Sequence, residues 1–221
     1  MEMKRLPQEI EAEIKSVARM LGRNPFEIFV LNLMYELTGL CTSFVAQSAD
    51  GHVLHGRNLD FGLFMGSDPL THSWKLTQML RDVLVNVEFH RDGKPLYNAT
   101  TYAGFVGLLS GGKGPNGFSI TVDTRYDATL DAGVIGWLLG KNDECKFLTF
   151  ETRAVMEAVA DYPSALHALV TYKPLGPAYI IIAGVRATNT PHTRTYIDVN
   201  RIRPSCTRCV SERPGVSLRA V

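Results

Sequence analysis

"GLCTSFVAQSADGHVLHGRNLDFG", residues 39–62, decides how the chain is read. The sequence before it has helical periodicity. After Cys41, apolar and polar residues alternate with the period of two of an extended chain. Residues 42–48 and 52–58 predict two strands, and Ala49-Asp50-Gly51 predicts a short turn in which Gly51 is free to take a positive φ. A hairpin of that length brings Arg57 or Asp60 back beside Cys41. That is more company than a core cysteine needs.

Working backwards, Leu6, Ile10, Ile14, Val17 and Leu21 recur at helical spacing with Glu, Lys and Arg between them, an amphipathic helix over about residues 7–22. Asn24-Pro25-Phe26-Glu27 then reads as an N-cap, a Pro at the first helical position and an acid in the first turn. The segment that follows, to about Tyr35, is apolar almost all round and predicts a buried helix.

Working forwards, Asp92-Gly93 signals a second hairpin between "VLVNVEF" and "PLYNATTY". "FVGLLSG" and "GFSITVDTRY" read as two more strands around the glycines of residues 111–117, for an antiparallel sheet of about six strands. Residues 133–140 and 149–170 read as helices, and "AYIIIAG", 178–184, as a buried strand. Helices, many antiparallel strands, helices and a strand make an α+β fold.

The 221 residues are enough for one domain with a substantial core. A net charge of +1 carries no nucleic-acid signature. It conceals an asymmetry: residues 186–221 hold seven Arg and no Lys against Asp198 and Glu212, a net of +5, which leaves −4 for residues 1–185. No segment has the length of a transmembrane helix. The first twenty residues are charged and amphipathic and carry no apolar run of secretory-signal type. Cys41, Cys145, Cys206 and Cys209 are too few and scattered for a disulfide framework. Cys206-Thr207-Arg208-Cys209 has the spacing of half a zinc or redox site, without a second ligand pair nearby. Asn98-Ala99-Thr100 is a glycosylation sequon, relevant only on the secretory route. Gly111-Gly112-Lys113-Gly114 lacks the spacing of a phosphate loop. No cofactor is expected.

A thiol attacks as the thiolate, so something must take its proton. His55 alternates with Arg57 along the second strand and shares its face, so a Cys–His pair is one solution, although no papain-like signature surrounds Cys41. A break of the Leu40–Cys41 bond is another. It would give Cys41 a free α-amine with a pKa of roughly 7.7–8.0, able to act as base for its own thiol. Asp123 and Arg125, in "TVDTRY", end a strand beside the Gly-rich turn and are candidates for lining the site.

"CTSFVAQSADGHVLHGRNLDFG" resembles the start of the β-subunit in the acid ceramidase family and in the related N-acylethanolamine-hydrolysing acid amidases. The resemblance runs over roughly residues 6–184 and includes "NPFEIFVLNLMYELTGL", "YAGFVGLLSG", "GVIGWLLGK" and "LGPAYIIIAG". The length between Phe61 and Val85 looks more like the ceramidases. The resemblance implies an N-terminal nucleophile hydrolase, an α/β/β/α sandwich of antiparallel sheets. It implies self-cleavage between Leu40 and Cys41 into an α/β heterodimer. Cys41 then matches the nucleophile, and Arg57 and Asp60 the Arg and Asp beside it. The implied reaction is hydrolysis of ceramide to sphingosine and fatty acid in the lysosome, with a saposin-type activator, or the same chemistry on N-acylethanolamines.

The implied division is 1–40, the end of an α-subunit; 41–184, a partial β-subunit; and 185–221, a divergent Arg-rich tail. The family's Asn-Tyr-Asp and Asp-Asp-Arg-Arg motifs do not occur. The chain therefore reads as an incomplete member of the sandwich, and a non-catalytic fragment that binds lipid or a partner stands as the alternative.

Overall fold

A computed structural model describes residues 3–38, 40–49, 52–60, 66–114, 117–124, 132–141, 145–176, 178–185 and 195–202. Helix α1 (Gln8–Leu21) buries Ile10, Ile14 and Ala18, a four-residue repeat, and ends at Gly22, whose φ of 62° lets its N–H turn back to the carbonyls of Ala18 and Arg19. Helix α2 (Pro25–Thr38) starts as expected, with the Asn24 side chain accepting the Phe26 N–H at 2.8 Å. Its apolar surface is not all buried: Phe26, Val30 and Leu31 are 43%, 41% and 56% exposed, while Ile28, Phe29, Leu33 and Tyr35 are covered. Continuous hydropathy carries no period, so it could not say which side of α2 meets α1.

The Cys41 hairpin forms with each strand displaced by about one or two residues from expectation: β1 (Leu40–Gln47) pairs antiparallel with β2 (Val53–Asp60). Leu40 faces Asp60, Cys41 faces Leu59 and Ser43 faces Arg57. These two strands form a sheet of their own. A minimal ladder of β3 (Ser67–Asp68) and β4 (Ser73–Trp74) leads into α3 (Lys75–Arg81).

The large sheet runs in the order β10-β9-β8-β7-β6-β5, antiparallel throughout, with β5 (Leu84–Arg91), β6 (Lys94–Tyr102), β7 (Ser110–Gly112), β8 (Phe118–Thr124), β9 (Ala178–Val185) and β10 (Thr195–Ile202). The β5–β6 turn places both Asp92 (φ 53°) and Gly93 (φ 74°) in the left-handed region, as a two-residue hairpin loop requires. Between β8 and β9 the chain forms α4 (Ala132–Leu138), α5 (Leu148–Ala158) and α6 (Tyr162–Val170).

Three expectations are corrected. The six strands do not share one sheet: the Cys41 hairpin stands apart, and β9 and β10 take its places. β10 lies inside the Arg-rich segment, where no strand was expected. "FVGLLSG" contributes only β7, because the Leu108 N–H bonds to the Thr149 carbonyl at 2.9 Å instead of a strand, and Gly107 approaches Thr149 too closely for any Cβ. The single helix over 149–170 is two. Asp161 interrupts it by accepting the Ser164 N–H at 2.9 Å, and Pro163 lies in the first turn of the new helix, where its missing N–H costs nothing.

Helices α5 and α6 cover one face of the large sheet, with Leu148, Val155, Met156, Tyr162 and Leu169 packed on Tyr97, Phe118, Ile120, Val122, Ile180 and Ile182. The β1–β2 hairpin lies on the other face, over β8. A second apolar cluster joins α1 and α2 to Trp137, Phe147, Phe150 and Leu175. Arg153 of α5, 6% exposed, ties these parts together. It donates to both carboxylate oxygens of Glu13 on α1 (2.6 and 2.5 Å), to Glu157 (2.7 Å) and to the Val106 carbonyl (2.8 Å). Cys145, 1% exposed, is disulfide-bonded. Cys206 and Cys209 lie outside the described residues.

Candidate active site

The site is made by alternation. On β8, Phe118, Ile120 and Val122 point to the helices, so the intervening Ser119, Thr121 and Asp123 point to the hairpin. On β1 the half-buried residues are Cys41, Ser43 and Val45; on β2 they include His55, Arg57 and Leu59. The space between β8 and the hairpin is thus lined by polar groups, and each has to be paired.

Arg57 is the centre of this layer, its side chain 5% exposed. One terminal nitrogen is 3.0 Å from Cys41 Sγ and 2.6 Å from the Tyr35 hydroxyl, and it also donates to the Val122 carbonyl. The other donates to the Leu109 carbonyl at 3.2 Å. Nε stands 3.6 Å from Asp123 Oδ1, near enough for charge attraction but too far for a hydrogen bond. Asp123 accepts the Ser43 hydroxyl at 2.7 Å, so the carboxylate is anchored on β1 while facing the guanidinium of β2.

Tyr35 reaches the site from α2. Its hydroxyl donates to the Val122 carbonyl, accepts from Arg57 and lies 3.5 Å from Cys41 Sγ. With its proton committed to Val122, the phenol oxygen faces the thiol as an acceptor. Burial pushes the Tyr35 phenol well above its ordinary pKa, with Arg57 opposing and Cys41 adding. Tyr102 is pushed up by burial, again with Arg57 opposing and Cys41 adding, which puts it in the same electrostatic environment. A cavity of about 260 Å³ opens here, lined by Leu21, Leu31, Met34, Tyr35, Val83 and Tyr102 among others, and is almost wholly apolar.

The structure therefore brings Cys41, Arg57 and Asp123 together. Asp60 meets Leu40 through the backbone ladder, opposite the bond expected to break. Nothing is described of its side chain, and Arg125 lies outside the described residues. Asn98 of the sequon is exposed on β6. His55 is not at the thiol: its two ring nitrogens meet Ser119 at 2.7 Å and Thr121 at 2.9 Å. Among the described residues no group of three His, Cys, Asp or Glu is arranged to hold a metal ion. Sequence reasoning missed Tyr35, taken as helix core, and Ser43 and Thr121. The signal for the last two was present: alternate polar residues on strands whose other positions are apolar.

No family model matches the chain. Curated relatives do. Over 181 residues it is 39% identical to the acid ceramidases of Bos taurus and Homo sapiens, an alignment covering 80% of this chain and 45% of each relative. Over 206 residues it is 33% identical to that of Mus musculus, covering 90% and 51%. The chain thus spans about half the length of the curated relatives it matches. Among solved structures it matches the N-acylethanolamine-hydrolyzing acid amidase ortholog of Caenorhabditis elegans with a TM-score of 0.51 and 27% identity, over 71% of this chain and 63% of that one. The chain is thus homologous in sequence to about half the length of the acid ceramidases, and in fold it resembles the amidase, an N-terminal nucleophile hydrolase.

Proposed function

We propose that the chain carries the machinery of a cysteine amidohydrolase for ceramide, brought into working form by a break between Leu40 and Cys41. The observation that carries this reading is the Arg57 nitrogen 3.0 Å from Cys41 Sγ. A guanidinium fixed at a sulfur is the electropositive surrounding in which a thiol acts as a nucleophile.

In the proposed cycle the free α-amine of Cys41 takes the thiol proton. The thiolate adds to the amide carbonyl, the C–N bond breaks as the ammonium returns the proton to the departing amine, and water hydrolyses the thioester. Arg57 holds charge beside the sulfur and Asp60 orients the amine. Asp123 holds Arg57; the role of binding substrate, expected for Asp123 and Arg125, is proposed only for Arg125. The apolar cavity at Tyr35 and Tyr102 suits an acyl chain, which supports a lipid amide and accommodates ceramide and N-acylethanolamines alike.

In this reading residues 1–40 form part of an α-subunit and 41–184 part of a β-subunit, with residues 185–221 as an appended tail. The setting is the lysosome, with a glycan on Asn98 and a saposin-type protein delivering the lipid. Among the described residues no helix is long and apolar enough to cross a membrane.

A second reading, lipid binding without turnover, is favoured by the apolar cavity at Tyr35 and Tyr102, which suits an acyl chain whether or not the amide is cleaved. Two measurements separate the readings. Mass spectrometry of the chain after incubation at acid pH should find a break before Cys41, and Cys41→Ala should stay whole; an alanine variant cut equally fast points to an outside protease. Fatty-acid release from ceramide, with a saposin-type helper, should then depend on Cys41. Cleavage with no release favours the binding reading; no cleavage and no release removes the proposal.

A further inference from the structure

The polar groups between β8 and the hairpin form a chain whose hydrogen-bond directions can be assigned from one end. Asp123, as a carboxylate, only accepts, so the Ser43 hydroxyl donates to it (2.7 Å). Ser43 has then spent its proton and accepts from Thr121 (2.8 Å). Thr121 in turn accepts from Nε2 of His55 (2.9 Å). A neutral ring with its proton on Nε2 presents a bare Nδ1, and Ser119 donates to it at 2.7 Å. Ser43 and Thr121 each donate once and accept once, and the Ala183 carbonyl, 3.4 Å from the Ser119 hydroxyl, is the more distant of the two acceptors open to that proton. The series starts in an open cleft of about 570 Å³, lined by His55, Ser119 and Thr121, and ends 3.6 Å from Arg57.

We propose that His55 is a positioning residue for the Cys41 site: through Thr121 and Ser43 it fixes the Asp123 carboxylate, and through Asp123 the guanidinium that touches the Cys41 sulfur. The neutral ring that this polarity needs is the form favoured by its surroundings, because burial lowers the His55 pKa to about 4. Glu88 lines the same cleft, and Asp123, at the far end of the series, is the nearest carboxylate in it. The role differs from that of a base: His55 moves no proton to or from the thiol. Without the imidazole donor, Thr121 and Ser43 can turn, Asp123 loses its single orientation, and the guanidinium spends less time on the sulfur.

The inference rests on Cys41 being the reactive group and needs no particular substrate. The test is therefore alkylation of the intact chain by iodoacetamide at one fixed pH, followed by mass spectrometry on the Cys41 peptide, with circular dichroism to check folding. His55→Leu should slow alkylation about three- to tenfold, in the lower part of the range for coupled neighbours. His55→Gln, whose amide can donate to Thr121 and accept from Ser119, should recover most of the wild-type rate. If His55→Leu does not fold, Thr121→Val breaks the series at its middle with little change of shape and should slow alkylation equally. A folded Leu or Val variant that alkylates at the wild-type rate overturns the proposal. So does a Gln variant as slow as the Leu variant, which would assign the effect to ring packing. Variants that slow alkylation in a chain hydrolysing no lipid amide uphold this inference while sinking the amidase reading. Hydrolysis with unaltered alkylation in the variants does the reverse.

Discussion

Strand β8 turns Phe118, Ile120 and Val122 toward α5 and α6, and Ser119, Thr121 and Asp123 toward the Cys41 hairpin. Ile120 and Thr121 are 1% and 4% exposed, so neighbouring residues are buried almost equally by opposite means. On the helix side burial is non-directional: side chains of about the right volume suffice, and the gain scales with area. On the hairpin side each hydroxyl has one proton and one place to send it. Removing one member strands its neighbours, and a buried unpaired group costs about 1–3 kcal/mol. The apolar face can be repacked by many sequences; the polar face specifies one arrangement and delivers it to a sulfur.

The largest effect that separates the faces should come from Arg57→Met. It leaves the Asp123 carboxylate, 11% exposed, without its cation. Breaking a buried pair from one side costs about 3–5 kcal/mol. Urea unfolding should show that loss together with slower alkylation of Cys41, and a loss below about 1 kcal/mol would mean that water already solvates Asp123. Next, Ile120→Ala should cost about 2–4 kcal/mol through cavity formation under α5. Its alkylation rate, corrected for unfolded protein, should match the wild type. A slowed thiol in this variant would show that the two faces are not independent.

The smallest effect concerns pH. His55 has a folded pKa of about 4 against 6.5 for the free side chain, so the unfolded chain binds more protons between those values. Stability is full above about pH 6.5 and falls as the pH drops toward 4, where the loss levels off. Allowing for solvent screening of a half-buried ring, this amounts to something on the order of 2 kcal/mol. His55→Gln should lose less stability between pH 7 and 4.5 than the wild type does, measured by urea midpoints. Parallel losses would mean that the ring charges freely in the fold.

The same contrast explains what was legible in the sequence. The stripe of Leu6, Ile10 and Ile14 (though not Leu21, which is exposed), the Asn24 cap, the Asp92-Gly93 turn and the Cys41 hairpin are local, and local chemistry announces them. So was the return of Arg57 toward Cys41, since a short hairpin sets that pairing. The family resemblance implied stacked antiparallel sheets, but the place of β9 beside β8 was hidden, because that pairing joins residues separated by three helices. The interruption at Asp161 lay in plain view, as Asp-Tyr-Pro-Ser, but was outweighed by the apolar period on either side. Tyr35 could not be found from α2 alone: a tyrosine on an apolar helix gives no sign that its hydroxyl ends at a thiol six residues later. Asp123 was found for its place beside a glycine turn, yet the partners that define it, Ser43 and Arg57, belong to another sheet.

The Arg153–Glu13 clamp and the Tyr35 phenol have a consequence for the segment ahead of Cys41. Both groups cross the bond between residues 40 and 41, one from the body of the protein to α1, the other from α2 to the sulfur. A chain cut there would not shed a spent leader. It would become a two-part assembly held by a charged clasp and a shared apolar interior, with one part still supplying a hydroxyl to the chemistry of the other. The peptide link is then dispensable to the architecture, and residues 1–40 and 41–221 made as separate polypeptides become a split-protein pair. Their reassembly in a test tube would begin with a cysteine already at a chain start, a mature form reached without any act of cutting.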